Sequence, residues 1–420
     1  MYSIPAGQIK FQDIEDFCED EPEEDLILDY KFDWPNDLAR ILCGMANVQG
    51  GMVLVGVGTQ PGTRKPAWPP PGVIGTDDSL RQRAIQIAYD NIYPPVLPTI
   101  DVVRLQDDPS KAAIVVIRVE ASRLLHAIDN RRKVFIRIFD HVRGVDNDLA
   151  SLAHLEWLFQ QRNRSEEFRQ FLLDRAGDHA KGISAEFLKQ PADAPKAILR
   201  LHSVPIFPLQ KTSKAPPEVL QIAQGIGTIK SHAAESTLTI PLRCDWRTIA
   251  DGAIAVPLTA GNAIQSVELG GHGLVYLEQI FPIQPGTHPL IDQPTNLLQA
   301  YSVLACCDAF LTFTATYYQR ANQHGPNSLV ARLDVSPNIS LDYRHPRQRH
   351  DPLNLGTSGR SSLDNTITLL DEEFSAQGLE GSRHDVLKKI TYSLFWAFGH
   401  TDTVTEIDGY VANVLGWRAS

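Results

Sequence analysis

A chain of 420 residues is long enough for two or three domains, each with its own core. Its 43% hydrophobic and 21% charged residues are ordinary for a globular protein, and a formal net charge of −11 excludes one that coats nucleic acid by bulk charge. Any nucleic-acid contact has to come from a local basic patch on an acidic body. The cysteines, at 18, 43, 244, 306 and 307, are odd in number and form no C-x-x-C, so free thiols in a reducing compartment are expected. Residues 1–10 lack an apolar core of signal-peptide length. The longest largely apolar segment, 297–315, is broken by Gln299, Tyr301, Ser302 and Asp308. No secretion signal and no membrane span are expected, and the expected location is cytoplasmic.

In chain order, residues 8–18 suggest a short helix, and an acidic run from Glu19 to Asp25 reads as a solvated loop. A strand follows in which Leu26, Leu28, Tyr30 and Phe32 alternate with Ile27, Asp29, Lys31 and Asp33, so Asp29 and Lys31 share a face. The spacing of Leu38, Ile41, Leu42 and Met45 predicts a helix over 35–48, with Asp33 as a plausible N-cap. Gly50-Gly51 stops it, and the apolar run 52–57 predicts a central strand. A Pro/Gly-rich loop, 58–72, carries Arg64, Lys65 and Trp68. A helix is predicted over 79–92 and ends at Pro94-Pro95. Strands are predicted at 99–105, 112–119 and 134–138, the first two as a hairpin turning at 106–111. Helices are predicted at 148–162 and 165–175, with the boundary at 176–195.

The second half is less legible. Strands are predicted at 197–204, 236–242, 252–257, 263–269, 274–282 and 328–335. Helices are predicted at 293–313 and 383–398, a linker at 210–218 and a loop at 343–362. The organisation expected is a domain over 1–162, a helical linker over 163–195, and a second α/β domain over 196–420.

Several motifs in the first part occur in a set order. Glu24 precedes Asp29-Tyr30-Lys31. Ala46-Asn47-x-x-Gly50-Gly51 closes the helix, and Val55-Gly56-Val57 ends the next strand. Gly72-Val73-Ile74-Gly75 follows the loop, then Asn91-Ile92-Tyr93-Pro94-Pro95, then Val134-Phe135-Ile136-Arg137. In this order they resemble a Schlafen-type, AlbA-like domain over about residues 10–145. The resemblance implies a mixed α/β (α+β) fold and binding of DNA or RNA. Some members are metal-dependent endoribonucleases acting on tRNA-like substrates through three carboxylates. Carried over, these positions are Glu24, Asp29 and Gly58, and the last has no side chain to offer.

Metal-assisted phosphodiester hydrolysis needs hard oxygen ligands and a group that offsets phosphate charge. Glu24 and Asp29 could ligate Mg²⁺ or Mn²⁺, with Lys31 as the cation; binding alone would need no cofactor. Alternatively, Asp29 and Lys31 form an ion pair and nothing more. The expected phosphate contacts are Arg131, Arg132, Lys133, Arg137 and Arg143, with His141 beside them, and Arg64 and Lys65 on the loop with Trp68. A solvated basic turn is the competing reading. The segment 345–350 reads as a basic loop and not as a zinc site, and the glycines at 56, 58 and 62 do not make a nucleotide loop.

Three functions follow. The first is a nucleic-acid-binding protein, prokaryotic and serving in regulation or in defence against foreign nucleic acid. The second is a metal-dependent endoribonuclease. The third is a protein-interaction module. The second domain is expected to bind a ligand or partner, or to mediate assembly into a homo-oligomer.

Overall fold

A computed structural model describes the chain except for residues 1–3, 5–6, 106–111, 130, 141–143, 192–193, 209–213, 234–235, 237, 288–293, 324, 344–356, 362–364, 377, 400–403, 414–415 and 417–420. Two compact units are resolved: residues 1–164 with 324–326, and the remainder.

The first unit contains α1 (Phe11–Glu19), β1 (Leu28–Lys31), α2 (Leu38–Asn47), β2 (Gly50–Val55), α3 (Asp77–Asn91), β3 (Ile92–Tyr93), β4 (Thr99–Arg104), β5 (Ala113–Glu120), β6 (Ala127–Ile128), β7 (Phe135–Asp140) and β8 (Gly144–Leu149). It also holds the start of α4 (Leu152–Phe187). Its main sheet has the order β1-β2-β5-β4. β1 and β2 run parallel through the crossover helix α2, and β5 is antiparallel to both β2 and β4. β2 and β5 are almost wholly apolar because both faces are covered. On one face Val53, Val55, Val115 and Ile117 meet Leu38, Ile41, Leu42 and Met45 of α2 and Leu80 and Ala84 of α3. On the other, Leu28, Tyr30, Met52, Leu54 and Val116 meet Ile14 and Cys18 of α1.

The alternation in β1 now has a packing consequence. Leu28 and Tyr30 face α1. Asp29, in register with Val53, faces the α2 side and is buried there. The tight turn after α2 needs its glycine: Gly50 has φ +75°, and a Cβ there would lie 2.6 Å from the Val119 carbonyl oxygen.

The second unit holds the rest of α4 and β9 (Lys196–Pro205), α5 (Pro216–Ile226), β10 (Ile229–Lys230), β11 (Thr239–Ile240), β12 (Cys244–Ile249), β13 (Gly252–Pro257), β14 (Ile264–Gly270), β15 (Val275–Pro282), β16 (Gln284–Thr287) and β17 (Pro294–Gln299). It continues with α6 (Ala300–Ala321), β18 (Pro326–Val335), β19 (Ile339–Asp342), β20 (Thr357–Ser361), β21 (Thr366–Ser375), α7 (Leu379–Ala397) and α8 (Val404–Asn413). A seven-stranded sheet runs β12-β13-β14-β15-β9-β18-β21, antiparallel at every pairing from β12 to β18. A four-stranded sheet runs β16-β17-β19-β20. One face of the larger sheet packs on the buried helix α6. On the other, Leu172, Ala176 and Ala180 of α4 meet Val204, Leu274 and Tyr276. There Arg175 pairs with Asp251 at 2.8 Å and Glu268 at 3.2 Å, and His179 Nδ1 lies 2.8 Å from the buried Glu268.

Several elements differ from the sequence expectation. Residues 148–149 end strand β8, and the helices expected at 148–162 and 165–175 are one helix running to Phe187. The boundary expected at 176–195 rests on its two prolines and small polar residues, but Pro191 and Pro195 lie beyond the end of this helix, and a helical glycine is tolerated where little packs on it. A Cβ at Gly182 would meet nothing within 4 Å. The helix expected at 293–313 is shifted: Pro294–Gln299 is strand, and the helix runs Ala300–Ala321. Helices α5 and α8 and strands β8, β12 and β21 were not expected. The linker at 210–218 overlaps the start of α5, where Pro216 and Pro217 occupy the first turn that tolerates them. Among the described residues of the strand expected at 236–242, only Thr239–Ile240 is in a ladder. Within the loop expected at 343–362, Thr357–Ser361 forms β20, and 344–356 lie outside the described residues. All five cysteines are free; burial pushes the Cys18 thiol up to about 12 and Cys43 up to about 11. No helix among the described residues is long and apolar enough to cross a membrane.

Candidate nucleic-acid interface

Asp29 sits at the centre of a charged cluster beneath α2. Its Oδ2 is 2.6 Å from Lys31 Nζ, and its Oδ1 accepts from Arg137 Nη2 at 3.2 Å. Arg137 comes from β7, which packs against α2, and is only 3% exposed. Its guanidinium also donates to the carbonyls of Asp25 at 3.0 Å and Leu28 at 2.9 Å. Arg137 therefore ties β7 to the entry of β1. A phosphate could reach it only by stripping these buried partners, so it does not serve as the surface contact the sequence reading assigned to it.

Glu24 accepts from the Tyr30 amide at 2.8 Å and stands 4.0 Å from Lys31 Nζ. Burial pushes its carboxyl above the ordinary value. The Tyr30 N–H opposes this, the Asp29 charge adds to it, and Lys31 opposes it again. A carboxyl whose pKa is raised by folding binds its proton more tightly in the native state. Its contribution is therefore most favourable at low pH and declines as pH rises from the ordinary value of 4.5 through the raised one. Glu24→Gln, which keeps the acceptor for Tyr30, should flatten that decline. Urea unfolding at several pH values checks this, and an unchanged pH dependence would contradict it.

The acidic run is not simply solvated. Glu21 pairs with Lys65 at 2.7 Å and Glu23 with Arg64 at 2.8 Å, while the Glu24 amide donates to the Arg64 carbonyl. Trp68 anchors the same loop by packing on Phe11, with ring centroids 5.8 Å apart. Arg64 and Lys65 thus already have acidic partners.

The third carboxylate position is Gly58. It is buried, and a Cβ there would lie 3.3 Å from the Phe32 ring. A divalent cation needs several hard oxygen ligands. Here Asp29 is already matched by Lys31 and Arg137, Glu24 accepts from the Tyr30 amide, and Gly58 has no side chain and faces an aromatic ring. Among the described residues no group of three or more His, Cys, Asp or Glu could hold a metal ion. Among the described residues, the set Glu24, Asp29 and Gly58 does not fit Mg²⁺ or Mn²⁺.

The basic segment 131–133 stands apart from this cluster. Ile128 and Lys133 bridge to each other, and the Arg132 amide donates to the Ile128 carbonyl, closing a turn between β6 and β7. Arg131, Arg132 and Lys133 are all exposed. Lys133 reaches Asp129 at 2.9 Å, which holds that carboxyl below its usual value. Arg131, at φ +70°, lays its guanidinium carbon 3.4 Å from the centroid of the Tyr93 ring. Arg143 and His141 lie outside the described residues, as does 345–350.

No periodicity in the sequence links Tyr93 to a turn so far along the chain, and Asn47 stands in the sequence only as part of the Ala46-Asn47-x-x-Gly50-Gly51 motif. Asn47 is a buried clamp, donating at 2.9 Å to the carbonyls of both His126 and Phe135 and accepting from the His126 amide at 2.8 Å.

Residues 24–146 match the family model described as Schlafen, AlbA_2. The first unit therefore carries a Schlafen/AlbA-like domain within a chain of mixed α/β character. At the level of that family the match supports a nucleic-acid-binding role. No curated protein gives a significant match to the chain.

Proposed function

We propose that the first unit binds nucleic acid through the exposed turn at 131–133 and does not cleave it. The observation that carries the reading is a set of consecutive exposed cations on a turn closed by backbone hydrogen bonds, inside the matched domain. A fixed turn presents its guanidinium groups to phosphate with little ordering cost, and Arg suits phosphate oxygens through paired N–H donors. Lys133 can add to this by exchanging Asp129 for a phosphate. The overall negative charge makes the contact local, so binding should be modest and sensitive to salt.

Fluorescence anisotropy with labelled RNA and DNA at low salt tests the reading. Arg132→Glu with Lys133→Glu should weaken binding roughly tenfold or more, about 1.4 kcal/mol. Unchanged affinity, or no binding by the unaltered protein, would contradict it. Absence of cleavage is tested by incubating the protein with total tRNA and Mn²⁺. The RNA should remain intact; Mn²⁺-dependent cleavage lost in Asp29→Asn would establish the nuclease reading in its place.

A further inference from the structure

We infer that Tyr93 and Arg131 together form a stacking platform for an unpaired base, which would make single-stranded nucleic acid the preferred ligand of the first unit; this rests on the nucleic-acid-binding reading above. The two side chains are brought together by two pieces of backbone. β3 pairs with β6, setting Tyr93 opposite Ala127 and Ile92 opposite Ile128. The turn then closes between Ile128 and Lys133 and brings Arg131 back over the ring, its guanidinium carbon 3.4 Å from the centroid.

Tyr93 remains 45% exposed although it lies next to buried Ile92. Its ring is therefore not part of the core. A cation held against one face of an aromatic ring fixes both groups before any ligand arrives, so less side-chain entropy is lost on binding. A base can stack on the exposed ring or on the guanidinium plane, because aromatic and guanidinium faces both accept bases. Arg132, exposed beside them, can take the adjoining phosphate. Bases inside a duplex have both faces occupied by their neighbours and cannot use the platform. The platform reads no base edge, so it is tolerant of sequence and of ribose or deoxyribose.

The test compares labelled single-stranded RNA and single-stranded DNA with a blunt duplex of the same sequence, by anisotropy at low salt. Tyr93→Ala should weaken binding of both single strands at least about fivefold, the low end of what one lost stacked base costs. It should leave the duplex within about twofold. Tyr93→Leu, which keeps apolar bulk without a ring, should behave like alanine, and Tyr93→Phe should bind as the unaltered protein does. Arg132→Glu should weaken single strands and duplex alike. Single-strand binding unaffected by Tyr93→Ala but weakened by Arg132→Glu overturns the platform and leaves the nucleic-acid reading standing. An equal loss for single strands and duplex in Tyr93→Ala also overturns it. No binding to any of the three removes both.

Discussion

Replacing Arg137 by alanine should lower the unfolding free energy of the first unit by about 3–5 kcal/mol, the usual cost of breaking a buried ion pair from one side. Two partners are lost from the carbonyls of Asp25 and Leu28, and Asp29 is left buried with Lys31 as its remaining cation. The alternative of relaxing toward solvent is closed because α2 and β7 cover the site. Native-state hydrogen exchange of the full chain is the suitable measurement, because it reports the first unit separately from the second. Protection of β1 and β2 amides should fall by the stated amount. A loss below about 1 kcal/mol, typical of an exposed pair, would show that Arg137 is not the buried tie described here.

Asn47→Ala should cost roughly 3 kcal/mol, since it orphans the buried carbonyl and amide of His126 and the part-buried carbonyl of Phe135. One of these is partly spared, because the Cys43 thiol also donates to the His126 carbonyl at 3.3 Å. The same exchange experiment should show lost protection spreading from the end of α2 into β7. Asn47→Asp should not restore it: a carboxylate can accept from the His126 amide but has no N–H for the two carbonyls. Protection restored by aspartate would contradict the clamp.

These two residues show what was readable from sequence. The apolar face of α2 and the buried strand β2 follow from periodicity, and the structure contains both; Gly50 and Gly51, expected as a turn, open β2, with Gly50 at φ +75°. Asp29 beside Lys31 also follows, because two residues along a strand share a face. What sequence alone does not show is what lies on that face. Arg137 looked like one more member of a basic stretch with 131–133, yet strand alternation turns it inward while the turn leaves Arg131 and Arg132 outside. Similarly, the acidic run looked solvated until the loop carrying Arg64 and Lys65 folded back on it. In the second unit the misplacements arose where strand and helix share an apolar run, as at the join of β17 and α6.

The departure at Gly58 matters most for function. Phe32, read as alternating with Asp33 at the end of the first strand, lies just past β1 and is exposed, with its ring against Gly58. No carboxylate stands at Gly58, and Asp29 is held in ion pairs by Lys31 and Arg137. The exposed turn at 131–133 is the proposed phosphate contact.

The most direct test of that claim is the salt dependence of binding. The slope of log K against log salt should be less steep in the Arg132→Glu, Lys133→Glu variant than in the unaltered protein by about 1.5, the loss of two phosphate contacts. Identical slopes for the two proteins would place the phosphate contacts elsewhere and contradict the account.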